Sequence, residues 1–127
     1  MFAIEKEFRF EASHVLPHHG GKCARLHGHS WKAVVAMESD RLVETGPQEG
    51  MVVDYGVVKA IVQPIVDGML DHRHLNDIPG LENPTSEALA RWLYLGIKPL
   101  LNPESAVRLA WVRIEETCTS ACVYTED

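Results

Sequence analysis

The sequence predicts an α+β domain in the order ββ-αα-ββ: an antiparallel four-stranded sheet with two helices packed on one face. Three observations predict it. Residues at both ends of the chain alternate apolar and polar with period 2, the middle repeats its apolar residues every three or four positions, and 127 residues with 46% apolar content suit one core, 1–127, and not two. No internal repeat, low-complexity tract or linker interrupts the chain.

The first strand is read from Phe2, Ile4, Phe8, Phe10 and Ala12 alternating with Ala3, Glu5, Glu7, Arg9 and Glu11, with Lys6 the one break. A polar loop from His18 to Arg25 follows, and then a second alternating run through His27, His29, Trp31, Ala33, Val35 and Met37. Glu44–Gly50 reads as a turn and Met51-Val52-Val53 as a short strand. Asp54 is a candidate N-cap for a helix to about Leu70, whose stripe is Val57, Val58, Ile61, Val62, Ile65, Val66 and Met69, with Pro64 inside it as an expected kink. Asn83-Pro84-Thr85-Ser86-Glu87 starts a second helix, with Leu89, Trp92, Leu93 and Ile97 inward and Pro99 at its end. Val107–Glu116 and Cys122–Tyr124 return to strand. Four strands in an open sheet leave edges exposed, so oligomerisation through those edges is expected.

Composition narrows the function classes. Twelve Lys plus Arg against 18 Asp plus Glu give a formal net charge of −6, the wrong sign for a general nucleic-acid binder. No run of 18 apolar residues exists to span a membrane, and Met1–Lys6 lacks the layout of a signal peptide. With an odd count of three cysteines, these features predict a cytoplasmic protein whose thiols are free for chemistry.

Seven histidines are a surplus in so short a chain. His27-Gly28-His29 is the sharpest local signal, because residues two apart on a strand point the same way, roughly 6.5–7 Å apart. His14, just past the first strand, supplies a third nitrogen if the two strands pair. Three such imidazoles describe a Zn²⁺ site with an open fourth position. His18 and His19, beside Pro17 and Gly20, read as surface residues.

Cys23, in Cys-x3-His-x-His spacing, has three readings that spacing leaves open: a fourth zinc ligand, a thiol activated beside the metal, or an inert buried thiol. Asp71-His72, at the end of the first helix, has the form of a proton relay or of a chance dipeptide, with Arg73 and His74 read as exposed. Glu116 shares the apolar face of its strand with Val112 and Ile114, whereas Glu115 shares the other with Arg113. A carboxylate on an apolar face needs a partner, either an internal Arg or a ligand with two parallel N–H donors. Glu116 is thereby expected to stand apart from the metal site.

Together, Phe10–Pro17, Cys23–Ser30, Val53-Asp54-Tyr55, Leu70-Asp71-His72, Asn83–Glu87 and Glu116–Thr119 resemble the 6-pyruvoyl-tetrahydropterin synthase family, in order and across almost the whole chain. The branch it is most similar to is the bacterial 6-carboxy-tetrahydropterin synthases of the queuosine pathway, which share the Cys-x3-His-x-His spacing. The resemblance implies a tunnelling (T-fold) subunit, three of which close a barrel, and two trimers stacked into a homohexamer with sites at the subunit interfaces. It implies that His14, His27 and His29 bind one zinc per subunit, that Cys23 is the catalytic thiol with Asp71 and His72 as relay, and that Glu116 anchors the pterin. Thr85 and Ser86 would contact that pterin from the neighbouring subunit. The implied substrate is a pterin triphosphate, 7,8-dihydroneopterin triphosphate, and Lys22 and Arg25 are the candidates for its triphosphate in an otherwise acidic chain. A pyruvoyl-pterin synthase, and a non-catalytic zinc module closed by Cys23, are the alternatives.

Overall fold

The computed structural model describes residues 1–21 and 24–127, so Lys22 and Cys23 lie outside the described residues. Strand β1 (Phe2–His14) and strand β2 (His27–Ser39) pair antiparallel along their whole length, from Phe2 opposite Ser39 to His14 opposite His27. The alternation seen in the sequence becomes two faces: Phe8, Phe10 and Ala12 of β1 and Trp31, Ala33, Val35 and Met37 of β2 are buried in one core.

Asp54 caps helix α1 (Tyr55–Ile65), its carboxylate accepting the Gly56 N–H at 2.7 Å. Pro64 does not end α1, although it has no N–H for the Ala60 carbonyl. The chain instead widens into a π-helical turn over Val66–Leu70, closed by the Asp71 N–H donating to the Val66 carbonyl at 2.8 Å. That turn buries Val66 and Leu70 and then releases the chain, extended at Asp71, beside β1. Arg73–His74 form a two-residue strand β3, parallel to Ala12–Ser13. Helix α2 (Ser86–Ile97) is capped by Thr85, whose hydroxyl accepts the Ala88 N–H at 3.1 Å. It buries Leu89, Ala90, Leu93, Tyr94 and Ile97, and gives way to a 3₁₀ turn at Lys98–Leu100. Strands β4 (Arg108–Thr117) and β5 (Ser120–Tyr124) complete the sheet.

The sheet therefore has five strands, in the order β3-β1-β2-β4-β5, where the sequence predicts four. The addition is β3, too short to show any periodicity. Met51–Val53 is not a strand: Val43 and Met51 bond locally across the turn, and Val52 is buried from a loop. The expected open edges are present, since β5 on one side and Phe2–Phe10 of β1 on the other have no outer strand among the described residues.

Candidate metal centre

The β1–β2 register puts His14 opposite His27 and Ala12 opposite His29, so three imidazoles meet at one end of the core face. Glu116 joins them from β4, and one donor atom from each of these four residues lies within 4.8 Å of every other. His14 Nε2 is 2.9 Å from His27 Nε2 and 3.5 Å from Glu116 Oε1, and His29 Nε2 is 2.8 Å from the same Oε1. The separation of Glu116 from the histidines expected from the sequence is thus not found. The core face on which it was placed is the face on which the imidazoles converge.

The protonation of the cluster follows from its outer partners. His14 Nδ1 lies 2.8 Å from the Pro84 carbonyl, and His27 Nδ1 lies 2.7 Å from the Arg25 carbonyl. A carbonyl oxygen can only accept, so both Nδ1 atoms carry hydrogen, and in the neutral rings both Nε2 atoms are bare lone pairs. Two lone pairs 2.9 Å apart repel unless a cation sits between them. His29 Nε2, close to Glu116 but poorly aligned with it, is the buried side-chain polar atom left without a hydrogen-bond partner among the described residues. Burial holds His14 and His29 below the ordinary histidine pKa, more than the nearby carboxylate raises it, which keeps both rings neutral and able to ligate. Four ligand atoms around zinc at tetrahedral geometry stand ~3.3 Å apart, and the observed spacings bracket that value. The donor set fits zinc.

Trp31 forms the floor, its ring centroid 5.1 Å from His14 and 5.2 Å from His29, while its indole N–H donates to the Ala12 carbonyl at 3.1 Å. Asn76 pins the chain just after His14, accepting from the Val15 N–H at 2.9 Å and donating to the Val15 carbonyl at 2.8 Å. Neither Trp31 nor Asn76 is singled out by the sequence. Ser86, the first residue of α2, donates its hydroxyl to Glu116 Oε2 at 3.0 Å within the same chain. Thr85 is occupied as the helix cap.

Asp71 and His72 lie beyond β1. The Glu11 N–H donates to Asp71 Oδ1 at 2.9 Å, and His72 Nδ1 is 3.0 Å from Asp71 Oδ2. These two donors, the backbone N–H foremost, hold the Asp71 carboxyl below its usual range. His72 takes a left-handed backbone at φ 57° and leaves its ring 79% exposed. A cavity of about 440 Å³ borders both His72 and His29, with Ser13, Gly28 and Ser30 between them. His74, expected at the surface, is half-buried and bonded to Ser13 Oγ at 3.0 Å, whereas Arg73 is exposed as expected. Arg25 is exposed and contributes its carbonyl to the site. Lys22 and the thiol assigned to Cys23 lie outside the described residues.

Residues 3–127 match the family of 6-pyruvoyl tetrahydropterin synthase. The chain belongs to this family. Among its curated relatives, the 6-carboxy-5,6,7,8-tetrahydropterin synthase of Synechocystis is 52% identical over 124 residues, covering 98% of this chain and 93% of that protein. The protein of the same name from Haemophilus influenzae is 31% identical, covering 99% and 100%. The solved Caenorhabditis elegans 6-pyruvoyl tetrahydropterin synthase superposes with a TM-score of 0.80 at 27% identity, over 99% of this chain and 96% of that one. An uncharacterized Wolinella succinogenes protein shares the fold, with a TM-score of 0.81 at 22% identity. The α+β fold is the T-fold subunit of the 6-pyruvoyl tetrahydropterin synthase family. Among the described residues no helix is long and apolar enough to cross a membrane.

Proposed function

We propose that the protein is a zinc-dependent 6-carboxy-5,6,7,8-tetrahydropterin synthase. It would convert 7,8-dihydroneopterin triphosphate to 6-carboxy-5,6,7,8-tetrahydropterin, acetaldehyde and triphosphate, a carbon–carbon lyase step of queuosine biosynthesis in the cytoplasm. The observation that carries this reading is 52% identity across 98% of the chain to a relative of that name. The convergence of three imidazoles on one point supports the metal.

His14, His27 and His29 would hold one zinc per chain, which when bound supplies Lewis acidity toward the substrate's side-chain hydroxyls. Glu116 would accept the ring's 2-amino and N–H donors as a bidentate, charge-assisted pair. The Asp71 carboxylate, held below its usual range, would accept a hydrogen bond from His72 Nδ1–H and so turn Nε2 outward as the proton-accepting atom. Cys23 would be the second proton carrier, and Lys22 and Arg25 would face the triphosphate. The open edges of β1 and β5 suit closure of three chains into a barrel and the pairing of two barrels as a hexamer.

Incubation of purified protein with 7,8-dihydroneopterin triphosphate tests the proposal. Acetaldehyde and a carboxylated pterin are expected; a diketone side chain without acetaldehyde would identify a pyruvoyl-pterin synthase instead. Cys23→Ala should abolish turnover and spare zinc, whereas loss of zinc in that variant would point to a closed, non-catalytic metal module.

A further inference from the structure

We infer that the Glu116 carboxylate is shared between two partners: it closes the metal's fourth position while no pterin is present, and it exchanges to the ring N–H donors when one binds. The inference rests on the pterin reading above and extends it to the resting state of the site. Three observations carry it. The first is position, since Glu116 Oε1 lies 2.8 Å from His29 Nε2 and 3.5 Å from His14 Nε2, among the atoms that would ligate the metal. With three imidazoles, this oxygen would make up a set of four ligands and occupy the position a substrate oxygen would otherwise take.

The second is the other half of the carboxylate. Oε2 accepts the Ser86 hydroxyl at 3.0 Å from the start of α2, so the group is tethered from the helix side whichever partner Oε1 has. The third is the backbone beneath it. The β2–β4 pairing ends at Lys32 opposite Glu115, and the β4–β5 register shifts between Glu115 and Thr117. Glu116 therefore belongs to neither ladder, sitting on an irregularity at the end of its strand, where a side chain is re-aimed at little cost in pairing. One carboxylate cannot serve the metal and a two-donor ring edge together. The two ligands must oppose each other through it, and that opposition is reciprocal.

The probe is pterin without a side chain, which offers the ring edge but no hydroxyls for the metal. Zinc affinity is measured by chelator competition on the full chain, as wild type, Glu116→Gln and Glu115→Gln, with and without saturating pterin. Without pterin, Glu116→Gln, which replaces a ligand, should bind zinc more weakly by at least the roughly 10-fold that loss of a ligand's outer partner costs, and Glu115→Gln should match wild type. In the wild type, pterin should weaken zinc binding, and zinc should weaken pterin binding by the same factor. This second arm needs no substitution, so a folding defect in Glu116→Gln cannot mask it. Unchanged zinc affinity in a folded Glu116→Gln overturns the coordination, and pterin that leaves wild-type zinc affinity unchanged or raises it overturns the exchange. If wild type binds no pterin while Glu116→Gln has lost zinc affinity, the substrate class and the exchange both fail, and the four-ligand metal site stands.

Discussion

Replacing Asp71 by Asn should remove the relay while leaving the fold intact. In the wild type, Asp71 Oδ1 accepts the Glu11 N–H at 2.9 Å and Oδ2 faces His72 Nδ1 at 3.0 Å. An asparagine must keep its oxygen on the Glu11 N–H, because the reverse orientation sets two donors against each other. Its NH₂ then faces His72 Nδ1 and donates to it, so the imidazole hydrogen moves to Nε2 and the bare base is lost. Removal of a positioned general base costs about 10²- to 10⁴-fold in kcat. Stability should barely change, since the bond to Glu11 survives and the exposed carboxylate–imidazole pair adds little. The assay is kcat with 7,8-dihydroneopterin triphosphate alongside thermal melting and zinc content. His72→Ala should lose a similar factor, and the double variant should be no worse than either, because the two residues act as one unit. An Asp71→Asn enzyme within threefold of wild-type kcat, or a double variant whose losses multiply, would refute the reasoning.

Wild-type protein should hold about one zinc per chain, and His27→Ala should lose most of it; full occupancy in that variant, by elemental analysis, contradicts the assignment. The metal-free protein should lose stability on acidification. Burial lowers the folded-state pKa of His14 and His29 below 6.5, so the unfolded chain binds more protons, and stability is complete above that value and falls as pH drops through the folded values. Melting of chelator-treated protein should shift down between about pH 7.5 and about pH 5.5, and a flat or rising Tm would contradict the sign. The solution mass should be a multiple of three chains, and an active monomer at micromolar concentration would rule out the barrel.

The parts of the fold legible in the sequence are those with a period. Phe8, Phe10 and Ala12 against Trp31, Ala33 and Val35 announce a half-buried strand pair, and the α1 and α2 stripes announce helices. Arg73–His74 has two residues and hence no period, and Val52 is buried from a turn, which hydropathy cannot tell from a strand. In the site, His-x-His on a strand declares that two imidazoles share a side, and the register supplies the third. The carbonyls of Arg25 and Pro84, which set the tautomers of His27 and His14, carry no side-chain signature and could not be found by reading residue types. Glu116 was legible as a carboxylate on the core face, but its partners required knowing that the end of β4 lies beside the start of β2.

The start of α2 links the fold to the metal chemistry. Pro84 gives its carbonyl to His14 on β1 and Ser86 holds Glu116 on β4, on either side of the helix cap Thr85, so two residues of this turn contact two strands and orient two of the four converging donors. Their placement depends on Leu89, Leu93 and Ile97 packing α2 against the sheet. Docking of α2 and assembly of the donor set are therefore one event, and a cation binding the finished cluster favours the docked helix by mass action. The same coupling runs in reverse. A substitution that loosens α2 far from the cluster would weaken metal binding by turning the Pro84 carbonyl away from His14 Nδ1, which frees that ring to carry its hydrogen on the nitrogen that must ligate.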